Sequence, residues 1–184
     1  MDKLLIAHEL GHAVAGVLQD TLYYPCSIDL ARSKGSLGSC TFDDKPRKLP
    51  SKYGKYKYMS DLGGIYGELL FGGAWSPWGA RSDLDSIATA NLKLTEIDKW
   101  MWHDSDPLSF RACSRLETIK LRRAFVLDAH ETFVRLPFIW EAYCSWCEDI
   151  DKNEFKNIVN EINSDGIEHI DFDALSVILK RIIH

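Results

Sequence analysis

Two histidines one helical turn apart, with a glutamate between them, constrain this 184-residue chain more than any other feature. They form the segment HELGH, from His8 to His12, and the residues beside it are uncharged. Apolar residues repeat at helical spacing over 2–19 with no proline, which predicts a helix over this range. A purely structural helix has little reason to place two histidines and a glutamate on or beside its apolar stripe.

The spacing of the two histidines indicates a metal site. Side chains four residues apart share one helix face, so both imidazoles can reach a single Zn²⁺ ion. Glu9 projects beside the same point, where it can accept a proton from an attacking water. A catalytic zinc site uses three protein ligands and keeps one position open. We therefore predict a Zn²⁺ site with His8 and His12 as ligands and Glu9 as the catalytic base.

The third ligand separates the classes of HExxH protein. The metzincin pattern HExxHxxGxxH is excluded because Ala15 and Leu18 occupy its glycine and third-histidine positions. A glutamate-ligand site would use Glu68 from a later helix. An aspartate-ligand site would use Asp83 or Asp85. The residues alone leave these alternatives open.

Apolar runs and turn residues divide the rest of the chain into short elements. Two strands are predicted over 26–31 and 37–42, as a β-hairpin or as neighbours. The polar segment 43–57 is predicted to be a loop. Further helices are predicted over 60–71, 84–102, 114–147 with a break at Pro137, 153–162 and 173–183. The predicted fold class is mainly α with a small β-hairpin or sheet.

Length and composition limit the partners and the location. The length suits a single domain over 1–184, and the net charge of −5 argues against nucleic acid or an anionic membrane as the main partner. No apolar run approaches the ~20 residues that span a bilayer, and the N-terminal residues do not resemble a signal peptide. The five cysteines are irregularly spaced and do not suggest a disulfide framework. A cytoplasmic protein is expected; the oligomeric state is not predicted.

Four segments within 1–95 carry a resemblance to a known family. They are MDKLLIAHELGHAVAG, CSIDLARSKGSLGSC, DLGGIYGELLFGG and GARSDLDSIATANL. In this order they resemble the peptidase domain of the FtsH family of AAA+ zinc proteases. That domain has HEAGHAVVG, a strand–turn–strand, LGGRAAEEIIFG and TGASNDL, whose aspartate is the third zinc ligand. The resemblance implies that Asp83 rather than Glu68 completes the zinc site, and that 96–184 is a helical C-terminal half.

The chain also departs from the family pattern. It contains no GxxxxGK[ST] phosphate loop, and only seven residues precede His8. We therefore expect a stand-alone peptidase domain without the ATPase module and membrane anchor of the full-length family members. Arg81 stands two residues before Asp83, in a segment that replaces the family's TGASND.

These observations predict a zinc metallopeptidase that hydrolyses flexible or unfolded segments of a protein or peptide substrate. The strand over 26–31 could offer a free edge on which an extended substrate docks. One alternative is a zinc-binding regulatory protein with little turnover that docks on a protein partner. A second alternative is an ImmA/IrrE-like peptidase that cleaves a repressor and uses Glu68 as a ligand.

Overall fold

The computed structural model describes residues 2–19, 24–31, 38–43, 59–73, 83 and 137–184. This part of the chain is mainly helical, with a small three-stranded antiparallel sheet. The predicted helix over 84–102, the predicted loop over 43–57 beyond its first residue, and the predicted helix over 114–147 before Pro137 lie outside the described residues.

Five helices and three strands occur in the described residues. In chain order they are α1 (Lys3–Gln19), β1 (Tyr24–Asp29), β2 (Ser39–Asp43), α2 (Met59–Gly72), α3 (Pro137–Glu148), α4 (Lys152–Asp165), β3 (His169–Ile170) and α5 (Phe172–Ile182). The predicted helices and strands on these residues are confirmed to within a few residues at each end. None of the described helices is long and apolar enough to cross a membrane.

Helices α1 and α2 pack with their backbones in contact, because glycine and alanine line both sides of the crossing. A Cβ on Gly63 would lie 2.5 Å from the Gly11 carbonyl oxygen and 2.8 Å from Ala15 Cβ. A Cβ on Gly67 would collide with the Ala7 carbonyl oxygen. Small residues four apart thus form a row without bulky side chains on each helix, which permits this close approach. The contact fixes which face of α1 meets α2.

Capping residues account for several helix ends. Gly73 ends α2 in a left-handed conformation, with φ 73°, and its N–H donates to the Leu69 carbonyl oxygen at 2.9 Å. Gly166 ends α4 in the same way, with φ 65°. Asp151 and Asp171 begin α4 and α5 by accepting hydrogen bonds from backbone N–H groups of the first turn. These ends are therefore determined by local sequence.

Strand β1 is the centre of the sheet. The strand order is β2-β1-β3, and both pairings are antiparallel, with Cys40 on one side of Ile28 and Ile170 on the other. The prediction that the strand over 26–31 offers a free edge is therefore wrong at Ile28 and Asp29, which pair with β2 on one side and with β3 on the other. In the described sheet, β2 and β3 are the edge strands.

The C-terminal helices share one core with the N-terminal elements. Trp146 of α3 is fully buried, with its ring centroid 5.8 Å from that of Tyr66 on α2 and 5.9 Å from that of Phe155 on α4. Strand β3 adds backbone pairing with β1. The helix pair α1–α2 is thus supported by contacts with the C-terminal elements.

Candidate metal centre

Three ligand atoms from α1 and from Asp83 converge on one point. His8 and His12 are both buried, 5% and 8% exposed, and their Nε2 atoms lie 3.1 Å apart. Asp83 Oδ2 lies 3.1 Å from His8 Nε2 and 3.5 Å from His12 Nε2. The three residues form a group that could hold a metal ion.

The outer nitrogens of the two imidazoles contact oxygen atoms of α2. His8 Nδ1 lies 2.8 Å from Glu68 Oε1, and His12 Nδ1 lies 2.6 Å from the Ser60 carbonyl oxygen. A carboxylate and a carbonyl can only accept, so each Nδ1 carries the proton and donates it. When the rings are neutral, the Nε2 atoms are therefore unprotonated, and their lone pairs are directed at the point where the two Nε2 atoms and Asp83 Oδ2 converge. Histidines that bind a metal commonly have this arrangement, in which the other ring nitrogen donates to an oxygen atom.

Gly64 lies next to the Nε2 atoms of the two imidazoles. A Cβ at this position would be 2.5 Å from His8 Nε2 and 2.7 Å from His12 Nε2. Ser60, Gly64 and Glu68 are each four residues apart, so they share the face of α2 that meets the two histidines. The missing side chain of Gly64 leaves room for the two rings and for an ion between them.

The separations between the three atoms fit a tetrahedral zinc ion. Ligands at 2.0–2.1 Å from a tetrahedral zinc lie about 3.3 Å from one another. The measured separations are 3.1, 3.1 and 3.5 Å. Two nitrogens and one oxygen are also a ligand set that zinc accepts, and three protein ligands leave a fourth position for water or substrate. These residues therefore fit Zn²⁺ as a group.

The electrostatics of the site favour positive charge between these atoms. Burial alone would lower the pKa of His8, but contacts with Asp83 and Glu68 outweigh burial and raise it to about 10. Burial would raise the pKa of Asp83, but hydrogen bonds with His12 and His8 lower it to about 2. The pKa of His12 is also raised, because Asp83 outweighs the effect of burial. A divalent cation would take the place of protons on the two Nε2 atoms.

Glu9 is buried beside the same cluster, with 5% of its surface exposed. Burial raises the pKa of its carboxyl group, while His12, His8 and a hydrogen bond from the Cys40 backbone N–H lower it. The net shift of the Glu9 pKa is upward, because the effect of burial is the largest. The Glu9 side chain thus extends from α1 to Gly38 and to Cys40 of β2.

The structure brings some of the predicted site residues together and not others. It brings His8, His12 and Asp83 together, with Glu9 beside them. Glu68, the alternative ligand, contacts the outer nitrogen of His8 and not the Nε2 atoms that converge. The other alternative, at position 85, lies outside the described residues.

Two contributions of α2 were not predicted from the sequence, namely the Ser60 carbonyl oxygen and the space left by Gly64. Ser60, Gly64 and Glu68 are four residues apart in the sequence, as His8 and His12 are. This spacing could have indicated their common role only if the contact between α1 and α2 were already known, because many helices without a functional site have residues at the same spacing.

Comparisons with known proteins do not place the chain in a family. No family model matches the sequence, and no curated protein matches it.

We expect the carboxylate of Glu68 to strengthen metal binding through His8. Loss of a group that orients a ligating histidine typically lowers metal affinity about 10- to 100-fold. Glu68→Ala should lie in this range, and Glu68→Gln should have a smaller effect because its amide oxygen still accepts from Nδ1. Competition with a chromogenic zinc chelator measures the dissociation constants. Glu161→Gln, at an exposed carboxylate on α4, is the control and should leave the affinity unchanged.

Proposed function

We propose that the protein is a zinc-dependent metalloendopeptidase that hydrolyses peptide bonds in flexible or unfolded protein segments. The observation that carries this proposal is the convergence of two imidazole Nε2 atoms and one carboxylate oxygen, with a buried glutamate beside them. In this assignment His8, His12 and Asp83 hold the zinc ion, and Glu9 is the catalytic base. The resemblance to the FtsH peptidase domain supports the same set of residues.

Each residue of the site has a separate task in this reaction. Zinc, when bound, supplies a Lewis acid that polarises a peptide carbonyl and acidifies water. Glu9 accepts the proton of the attacking water and then donates it to the leaving amine, as a general base and acid. Glu68 and the Ser60 carbonyl hold the imidazoles in the tautomer that leaves Nε2 unprotonated.

The outer edge of β2 is the proposed docking place for the substrate backbone. β2 is an edge strand of the described sheet, and its residue Cys40 donates a backbone N–H to Glu9. An extended segment that pairs with such an edge presents its carbonyl groups next to the catalytic base. This assignment replaces β1, which is paired on both sides.

The burial of the site indicates why the substrate must be flexible. His8, His12 and Glu9 are each less than a tenth exposed. A folded domain cannot bring a peptide bond to side chains at this depth, whereas an extended single strand can reach them. We therefore expect cleavage of denatured or loop segments and resistance of compact domains.

Removal of the metal tests the proposal directly. Exhaustive dialysis against a chelator should abolish cleavage of an unfolded fluorogenic protein such as labelled casein. It should also lower the melting temperature by roughly 10 °C, because a ligand at 1,000 times its Kd stabilises the folded state by about 4 kcal/mol. One equivalent of Zn²⁺ should restore both properties. Asp83→Asn is the matched control, and a chelator should change its melting temperature little.

The outcomes separate the competing functions. Cleavage that follows the zinc content supports the peptidase. Stoichiometric zinc without cleavage of any unfolded substrate favours a zinc-binding regulatory protein that docks on a partner. Zinc that is retained by Asp83→Asn but lost in Glu68→Gln favours the site in which the glutamate is a ligand. Absence of zinc from the wild-type chain contradicts the metal site.

A further inference from the structure

We infer that Gly38 is a positioning residue for the catalytic base: the absence of a side chain at this position allows the start of β2 to lie against the Glu9 carboxylate. This inference rests on the proposed peptidase function, because it assigns Gly38 a role in that reaction. It concerns the placement of Glu9 and not the binding of the metal.

The space at Gly38 is occupied by the glutamate. A Cβ added there would lie 2.9 Å from Glu9 Oε1 and 3.2 Å from Glu9 Cγ, and 2.9 Å from Leu5 Cδ1. Its φ is outside the left-handed region, in which Gly73 and Gly166 are found. The backbone at Gly38 therefore accepts any L-residue, and glycine is needed there for room.

A backbone hydrogen bond two residues further along β2 completes the arrangement. The Cys40 N–H donates to the Glu9 carboxylate. Cys40 is also paired with Ile28 of the central strand β1, so β2 cannot simply move away from α1. Gly38 gives the carboxylate room, Cys40 holds it by one hydrogen bond, and the sheet keeps both residues in place.

A methyl group at Gly38 should therefore move the carboxylate and leave the fold intact. The nearest atoms, Oε1 of Glu9 and Cδ1 of Leu5, are the ends of flexible side chains that can rotate without a backbone shift. A displacement of about 1 Å of a catalytic group can cost about 100-fold in rate. We expect Gly38→Ala to lower kcat about 10- to 100-fold, with KM and zinc content unchanged.

Gly16→Ala is the matched control, because it also adds a methyl group between α1 and β2 but at a distance from Glu9. A Cβ on Gly16 would lie 2.5 Å from Cε1 of Phe42, which packs β2 onto α1 two residues beyond Cys40. The steric disturbance is comparable, but it does not touch Glu9. We expect Gly16→Ala to keep kcat within about twofold of wild type, since the carboxylate stays in place.

The hydrogen bond itself provides a readout that does not depend on activity. Amide exchange at Cys40, measured by NMR, should be faster in Gly38→Ala than in wild type by at least about tenfold and should be unchanged in Gly16→Ala. Unchanged kcat and unchanged exchange in Gly38→Ala would overturn the inference, as would equal losses in both variants. If the wild-type chain does not cleave, the proposed function fails, and the exchange experiment still decides whether Gly38 positions the carboxylate.

Discussion

Glu9→Gln should lower kcat by about 100- to 10,000-fold while one zinc ion stays bound to each chain. Glutamine has the same shape and its amide oxygen can still accept the Cys40 N–H, so the site keeps its geometry. The amide cannot take a proton from water, which removes the base from the reaction. KM should change little, because Glu9 is not a zinc ligand and glutamine keeps the contact with the Cys40 N–H of the docking edge. Zinc content and steady-state cleavage of an unfolded peptide measure both properties.

The comparison needs a control for purification and for trace proteases. Glu161→Gln carries the same chemical change on the exposed surface of α4 and should cleave at the wild-type rate. A rate in Glu9→Gln above about a tenth of wild type, with zinc bound, shows that another group takes the proton. A rate that is equal in every variant indicates a contaminating protease.

Gly64→Ala is expected to weaken zinc binding by at least about 100-fold. The added methyl group would lie 2.5 Å from His8 Nε2 and 2.7 Å from His12 Nε2, so both rings must turn away from the point where they converge. Alanine is about 1 kcal/mol better than glycine inside a helix, so the loss of metal is not caused by a weaker α2. Titration of the metal-free variant with zinc measures the affinity.

Two other glycines of α2 separate the effect on the site from the effect on the fold. Among the described residues, a Cβ on Gly72 would meet only Leu4 Cδ2, at 3.1 Å, and this exposed side chain can move, so Gly72→Ala should bind zinc normally. A Cβ on Gly67 would meet the Ala7 backbone, so Gly67→Ala should destabilise the fold by about 1–3 kcal/mol or more. If the metal-free form of Gly64→Ala melts well below that of wild type, its loss of zinc has a structural cause.

The local features of this protein were predictable from its sequence because they depend on short spacings. The helix over 2–19, the common face of His8 and His12, and the ends of α2 and α4 follow from periodicity, from i, i+4 geometry and from glycine caps. Strands β1 and β2 follow from two apolar segments that flank turn-forming residues in the sequence. Each of these features is determined within a few residues.

The features that were missed depend on contacts between distant segments. Strand β3 has only two residues, which are too few to show the alternating pattern of a strand in the sequence. It is a strand because Ile170 pairs with Ile28 of β1. The same pairing explains why β1 is the central strand of the described sheet, with Ile28 and Asp29 paired on both sides. The role of Glu68 depends on the register between α1 and α2, which the glycine contact sets and periodicity does not.

The central position of β1 has a consequence for how the chain reaches its native state. Its partner β3 follows far later in the sequence, since Ile28 pairs with Ile170, so the sheet cannot be completed until the chain through β3 has left the ribosome. Helix α1 and its histidines are synthesised before β3, and the sheet beside them is completed only afterwards. Contacts of such high sequence separation slow folding. Destabilising changes in β3 or α5 should therefore appear first as a slower gain of metal-binding competence during refolding.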